Sequence, residues 1–328
     1  MKNIFFKFGI FTIMFVSFLS CNSPNNIDSV KLALDWYPNA NHMGIYLAIE
    51  NGYFLDENID VEIYTPSDPS TVLQTVASGA DDFGINYQPD LLIARNEGVP
   101  VVSILGMVQH PLNSVMSLKS KGYESPLDLK GKKIGYPGIP WNENALNTML
   151  EFSGLHGITD VEIVNVGWEL GSSLISENVD AIIGAYFTHE SFILENEGYP
   201  VNIMRMEEWG VPDYYELVLV TSEDFLNNNP SIVKRFTRAL IQGYQDAIDD
   251  PQKGIDVLIL HAPEAKKNER IERLGGDILK DLWQDGEGKF GTQEKNKWMN
   301  FALWMQEKGI IDESLDVIDA YTDIYSLK

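Results

Sequence analysis

Trp36, Tyr37, Asn39, Asn41 and His42 crowd one part of the stretch LALDWYPNANHMGIYLA, residues 32–48. Stacking rings and hydrogen-bonding side chains at that density suit three tasks: gripping a flat ligand, holding a catalytic base, or capping the helix that follows. Trp36 reads as a ring face for a ligand or as a core plug after a strand, and Asn39 and His42 read as ligand contacts or as a helix cap. In NYQPD, Asn86 and Tyr87 add an amide and a second ring. GAYFTHE sets Tyr186 and Glu190 four residues apart, on one face of any helix that begins there; a carboxylate facing the helix macrodipole is the alternative for Glu190. In PDYYELVLV, strand alternation sends Tyr215 to one side and Tyr214 and Glu216 to the other, so one set alone can face a cleft. The turn from Gly135 to Gly138 offers backbone amides to a ligand oxygen, or simply the geometry of a strand-to-helix turn.

These stretches, together with PGIPWNEN, contain neither Lys nor Arg. Sulfonate, nitrate and phosphate normally recruit cations or helix N-terminal amides, whereas rings, amides and carboxylates suit a flat, amine-bearing heterocycle. Trp36 and Tyr186 are expected to sandwich such a ring, with Glu190 or Glu216 accepting from an exocyclic amine. The histidines His42, His110, His156, His189 and His261 lack ligand spacing, so neither a metal site nor a cofactor is expected. The single cysteine, Cys21, removes disulfides and a cysteine nucleophile from all that follows it.

The elements that must position these residues follow from length and patterning. A chain of 328 residues exceeds what one core usually organises and predicts two lobes. A formal charge of −24 excludes nucleic acid as a partner. Residues 1–21 read as an export signal: Lys2 and Lys7 precede the apolar run Phe8–Leu19, which is too short to span a bilayer comfortably. Cys21 at its end predicts lipidation, and 22–29 a polar tether. Beyond it, short β-rich runs alternate with helical patterns, which predicts an α/β architecture with largely parallel sheets. Strands are expected at Val30–Leu34, Val61–Tyr64, Asp82–Ile85, Val101–Met107, Ser114–Leu118, in SPLDLKGKKIGYPG with its end in Gly135 and Gly138, and at Val161–Val166, Ala181–Ala185 and Tyr215–Thr221. Helices are expected at Gly44–Asn51, at Ser70–Ser78 with Ser70 as N-cap, at Asp90–Glu97, from near Asn142, and through most of the chain after Pro230. Lobe 1 is then 30–118 plus 222–328, and lobe 2 is 119–221.

LDWYPNANHMGIYLA, NGYF, PSDPSTVLQTVASGADDFGI, LKGKKIGYPG, GAYFTHE and YYELVLVTSEDFLNNNP together resemble the solute-binding proteins that serve ABC importers of thiamine pyrimidine precursors, nitrate, taurine and alkanesulfonates. The pyrimidine-precursor group is the most similar. The resemblance implies a type II periplasmic-binding-protein fold with a cleft between two lobes. It further implies an aminopyrimidine ligand, an ABC permease and its ATPase as partners, and a monomer held outside the cytoplasm by a lipid anchor. A fungal-type pyrimidine synthase is similar too; its pattern calls for a lysine and a histidine where this chain has Asn86 and Asp90. With no amine there to form a Schiff base and no histidine to be consumed, the resemblance implies binding without chemistry. An exported enzyme and a receptor for a sulfonate, taurine or nitrate are the alternatives.

Overall fold

The computed structural model describes residues 27–323; the expected signal, Cys21 and most of the tether lie outside the described residues. Ten strands form two sheets: β1 (Asp28–Ala33), β2 (Ile59–Tyr64), β3 (Phe83–Asn86), β4 (Val101–Val108), β5 (Asn113–Leu118), β6 (Lys133–Tyr136), β7 (Glu162–Asn165), β8 (Ala181–Tyr186), β9 (Val201–Arg205) and β10 (Leu217–Ser222). The first sheet runs β2-β1-β3-β10-β4 and the second β7-β6-β8-β5-β9. β1 pairs parallel with β2 and β3, as β6 does with β7 and β8. In each sheet one antiparallel strand is inserted: β10 between β3 and β4, β5 between β8 and β9.

Those inserted strands are where the expected lobe boundaries fail. Asn113–Leu118 belongs to the second sheet and Leu217–Ser222 to the first, so the chain changes lobe at 109–112 and again between β9 and β10. Both strands are buried along their whole length, and an apolar run carries no mark of which sheet it joins. β9 was not anticipated at all. It is a sheet edge, partly exposed at Asn202, Ile203 and Arg205, so its five residues lack a continuous apolar signal. Ser70 is not the N-cap of its helix; the Asp68 carboxylate caps the turn, accepting from the Ser70 amide at 2.9 Å and its hydroxyl at 2.7 Å.

Four long helices follow β10, at Pro230–Asp249, Pro251–His261, Glu269–Leu282 and Lys295–Glu307, and they complete lobe 1. The first packs on Met43–Glu50 so closely that a Cβ on Gly243 would sit 2.1 Å from the Gly44 carbonyl oxygen. Gly243→Ala is therefore expected to destabilise the protein by about 2–3 kcal/mol through overpacking, read as a lower urea midpoint at unchanged slope. The apolar edge strand β4 is covered by single bridges from Ser103 to Tyr321 and from Gly106 to Gly291, which removes an edge open to strand pairing. Among the described residues no helix is long and apolar enough to cross a membrane.

Candidate functional site

The carboxyl ends of β1, β3, β6 and β8 converge on the seam between the lobes, where open α/β sheets place their ligands. After β1 the chain turns through Asp35–His42, and hydrogen bonds lock that turn. The Asn39 side chain accepts from the Asn41 amide at 2.9 Å, and the Asn39 amide donates to His42 Nδ1 at 3.2 Å. With Nδ1 accepting, Nε2 carries the hydrogen and donates to Asp35 Oδ1 at 2.9 Å. The Tyr87 hydroxyl donates to the other oxygen of Asp35 at 3.2 Å. Asn39 and His42 are thus buried cap and support residues rather than ligand contacts, because their polar atoms engage one another and Asp35. Asp35 itself was missed, although it stands in the quoted turn; only the fold joins it to Tyr87.

Tyr87 enters a small inner cavity that also draws on Asn113, Trp141, Asn142, Tyr186 and Glu216, residues from both lobes and both crossings. Its volume is about 10 Å³, little more than a water's worth. Glu216 Oε2 accepts from the amides of Leu112 at 2.7 Å and Asn113 at 3.0 Å and from the Tyr214 hydroxyl at 3.1 Å. Its Oε1 has no hydrogen-bond partner among the described residues. Burial outweighs those donors and pushes the Glu216 carboxyl up to about 7. The Tyr186 hydroxyl is close enough to steady that carboxyl but makes no hydrogen bond of acceptable geometry. Burial also lifts the Tyr87 and Tyr186 hydroxyls well above the usual phenol range, so both remain neutral donors.

Tyr87 also borders a side cavity of about 100 Å³ where Asn86 and Asp90 lie. Asp90 Oδ1 accepts from the Trp141 amide across the seam at 3.1 Å. Asp90 Oδ2 and Asn86 Oδ1 are buried with no partner among the described residues. Burial, opposed by the Trp141 amide and reinforced by the Glu216 charge, raises the Asp90 carboxyl to about 7.

An outer cavity of about 310 Å³ holds Trp36, Tyr37, Trp168, His189, Glu190 and Glu272. Trp36 and Trp168 lie 4.4 Å apart, ring centroid to centroid, one from each lobe, and the Trp168 indole donates to the Ser67 carbonyl at 3.1 Å. The expected sandwich of Trp36 against Tyr186 is not formed, because the two rings border different cavities. Glu190 links the chambers, accepting from the Tyr186 amide at 2.8 Å. Tyr215 leaves the candidate site: it faces away from Glu216, its ring near Trp298, and its hydroxyl accepts from the Glu294 amide at 2.7 Å. Gly138 takes φ +84, and a Cβ there would come 2.7 Å from Asn165 Nδ2, so the strand-to-helix turn is what requires glycine. Gly184, which the sequence did not single out, borders the inner cavity itself at φ +99.

The arrangement can desolvate a small flat molecule among rings and offer it unpaired carboxyl and hydroxyl groups. Residues 39–254 match the NMT1/THI5-like family. The chain is 36% identical over 320 residues, 96% of its length and 97% of the relative's, to the formylaminopyrimidine-binding protein of Halalkalibacterium halodurans. It is 28% identical, over 69% of each chain, to a 4-amino-5-hydroxymethyl-2-methylpyrimidine phosphate synthase of Saccharomyces cerevisiae, THI11. Its fold matches the alkanesulfonate-binding protein SsuA of Xanthomonas axonopodis pv. citri with a TM-score of 0.68 at 12% identity, over 90% of this chain and 98% of that one. On the extent of the family match and of the 36% identity, the chain belongs to the NMT1/THI5-like family.

Proposed function

We propose that the protein is the extracytoplasmic receptor of an ABC importer, anchored through a lipid on Cys21, and that it captures an aminopyrimidine precursor of thiamine. The observation that carries the ligand class is the unpartnered oxygen of Glu216 beside the unpartnered Tyr186 hydroxyl, inside an aromatic-walled seam. A 4-aminopyrimidine presents an amine donor next to a ring nitrogen. Glu216, with one oxygen held by three donors, has the other free to accept from the amine or, when protonated, to donate to the nitrogen. The Tyr186 hydroxyl supplies a second polar contact at the ring edge. A cavity of about 10 Å³ is too small for a pyrimidine, so the lobes part to admit the ligand and close on it.

The formylaminopyrimidine-binding relative supports the same ligand class. Against catalysis stand Asn86 and Asp90, which supply neither an amine for a Schiff base nor an imidazole, so we take the chain to bind its ligand unchanged. Mass spectrometry of small molecules released on denaturing the purified protein tests the reading: an aminopyrimidine supports it, and a sulfonate overturns it. For the anchor, Cys21→Ser is expected to abolish lipid labelling and move the protein from membrane to soluble fractions; unchanged membrane retention contradicts lipidation.

A further inference from the structure

His189 lies between two carboxylates that come from different lobes. On its own lobe, Glu190 Oε1 is 2.8 Å from Nδ1. From lobe 1, Glu272 on the helix Glu269–Leu282 places Oε1 3.0 Å from Nε2. The other oxygen of Glu272 accepts from the Ala40 amide at 2.8 Å, which fixes the carboxylate to the turn after β1. Glu272 is 1% exposed, so this pair is shielded from solvent in a way that surface ion pairs are not. One helical turn further on, Gly275 lets the same helix approach the other lobe: a Cβ there would stand 2.8 Å from the Thr188 carbonyl oxygen. Neither contact belongs to the inner cavity.

We propose that His189 and Glu272 form a latch that biases the two lobes toward the closed arrangement even with no ligand bound, and that Gly275 is the close-approach point that lets the latch engage. Two glutamates face the imidazole, Glu190 on its own turn and Glu272 on the opposing helix; Glu264 lines the same chamber without bonding to it. The two bonded carboxylates hold the His189 pKa well above that of a free histidine against the opposing effect of burial. Opening removes Glu272 and lowers that pKa. The latch is therefore engaged at neutral pH, and its contribution falls as pH rises through the closed-state value.

The latch makes a claim about lobe closure without ligand, so it is tested separately from the aminopyrimidine reading. Spin labels on the exposed Leu260 of lobe 1 and Leu127 of lobe 2, in the full chain carrying Cys21→Ser, report the interlobe distance distribution with no small molecule present. His189→Gln and Glu272→Gln are each expected to shift the closed-to-open ratio roughly tenfold toward open, and the double variant to shift it no further. Gly275→Ala changes no charge and is expected to move the ratio the same way by steric obstruction. Glu264→Gln, which removes a neighbouring carboxylate outside the bonded pair, is expected to leave it unchanged. Circular dichroism establishes that each variant is folded. A wild-type distance distribution in Glu272→Gln overturns the latch.

Discussion

Glu216→Gln is expected to weaken aminopyrimidine binding by about 2–3 kcal/mol, roughly 30- to 150-fold in Kd. The amide oxygen can keep the three donors at Leu112, Asn113 and Tyr214, and this leaves the amide nitrogen facing the cavity. A donor then meets the ligand's exocyclic amine where the carboxyl presented an acceptor, and the ring nitrogen loses an acidic proton. The same change removes a carboxyl that burial has pushed up to about 7, so the ligand-free variant is expected to be at least as stable as wild type at pH 8. Weaker binding with undiminished stability separates ligand recognition from folding. Calorimetry and thermal melts read the two quantities, with the exposed Glu307→Gln as the neutral control. Wild-type affinity in Glu216→Gln removes Glu216 from the site.

Stability itself is expected to fall between pH 5 and pH 8. Glu216 and Asp90 rise from ordinary values of 4.5 and 3.8 to about 7 in the folded protein. Between the unfolded and folded values the native state binds more protons than the unfolded chain, so their contribution is complete at low pH and is lost as pH passes through 7. Shifts of this size make the loss on the order of 3 kcal/mol for each carboxyl. The carboxyls held low, such as Asp213 and Glu190, titrate below this window and do not mask it. A net charge of −24 adds repulsion in the same direction, so the diagnostic is the change of slope. Urea midpoints measured from pH 5 to 8 should decline in wild type and decline less in Asp90→Asn and in Glu216→Gln. Equal slopes in all three proteins contradict the buried, neutral carboxyls.

The α/β class and two-lobe plan were legible because parallel strands and their helices follow one another locally, each with its own apolar period. What the sequence left open was partnership at a distance. β5 and β10 are apolar throughout, and only their pairing with β8 and β9, or with β3 and β4, decides their lobe. The same limit applied at the site. Alternation correctly separated Tyr215 from Glu216, yet it could not say which side faced the seam; the long-range bond from the Glu294 amide and the packing near Trp298 place Tyr215 outside it. Asn39 and His42 looked like ligand contacts because polar residues in a turn advertise hydrogen bonding without naming the recipient, which here is the turn itself and Asp35. Trp141 and Asp90 stood in quoted stretches, but their bond across 51 residues exists only in the folded chain. Nothing local marks Glu272, a carboxylate in the first turn of its helix, where acidic residues are ordinary, and its partners are 83 and 232 residues away.

The central claim is recognition of an aminopyrimidine by a cleft whose sequence motifs carry no cation. Its most direct test is calorimetric titration of the purified protein, cleared of co-purified ligand, with formylaminopyrimidine and hydroxymethylpyrimidine beside taurine, nitrate and an alkanesulfonate. The account predicts micromolar or tighter binding of at least one pyrimidine and no heat from the three anions at millimolar concentration. Micromolar binding of any anion, with the pyrimidines silent, contradicts it.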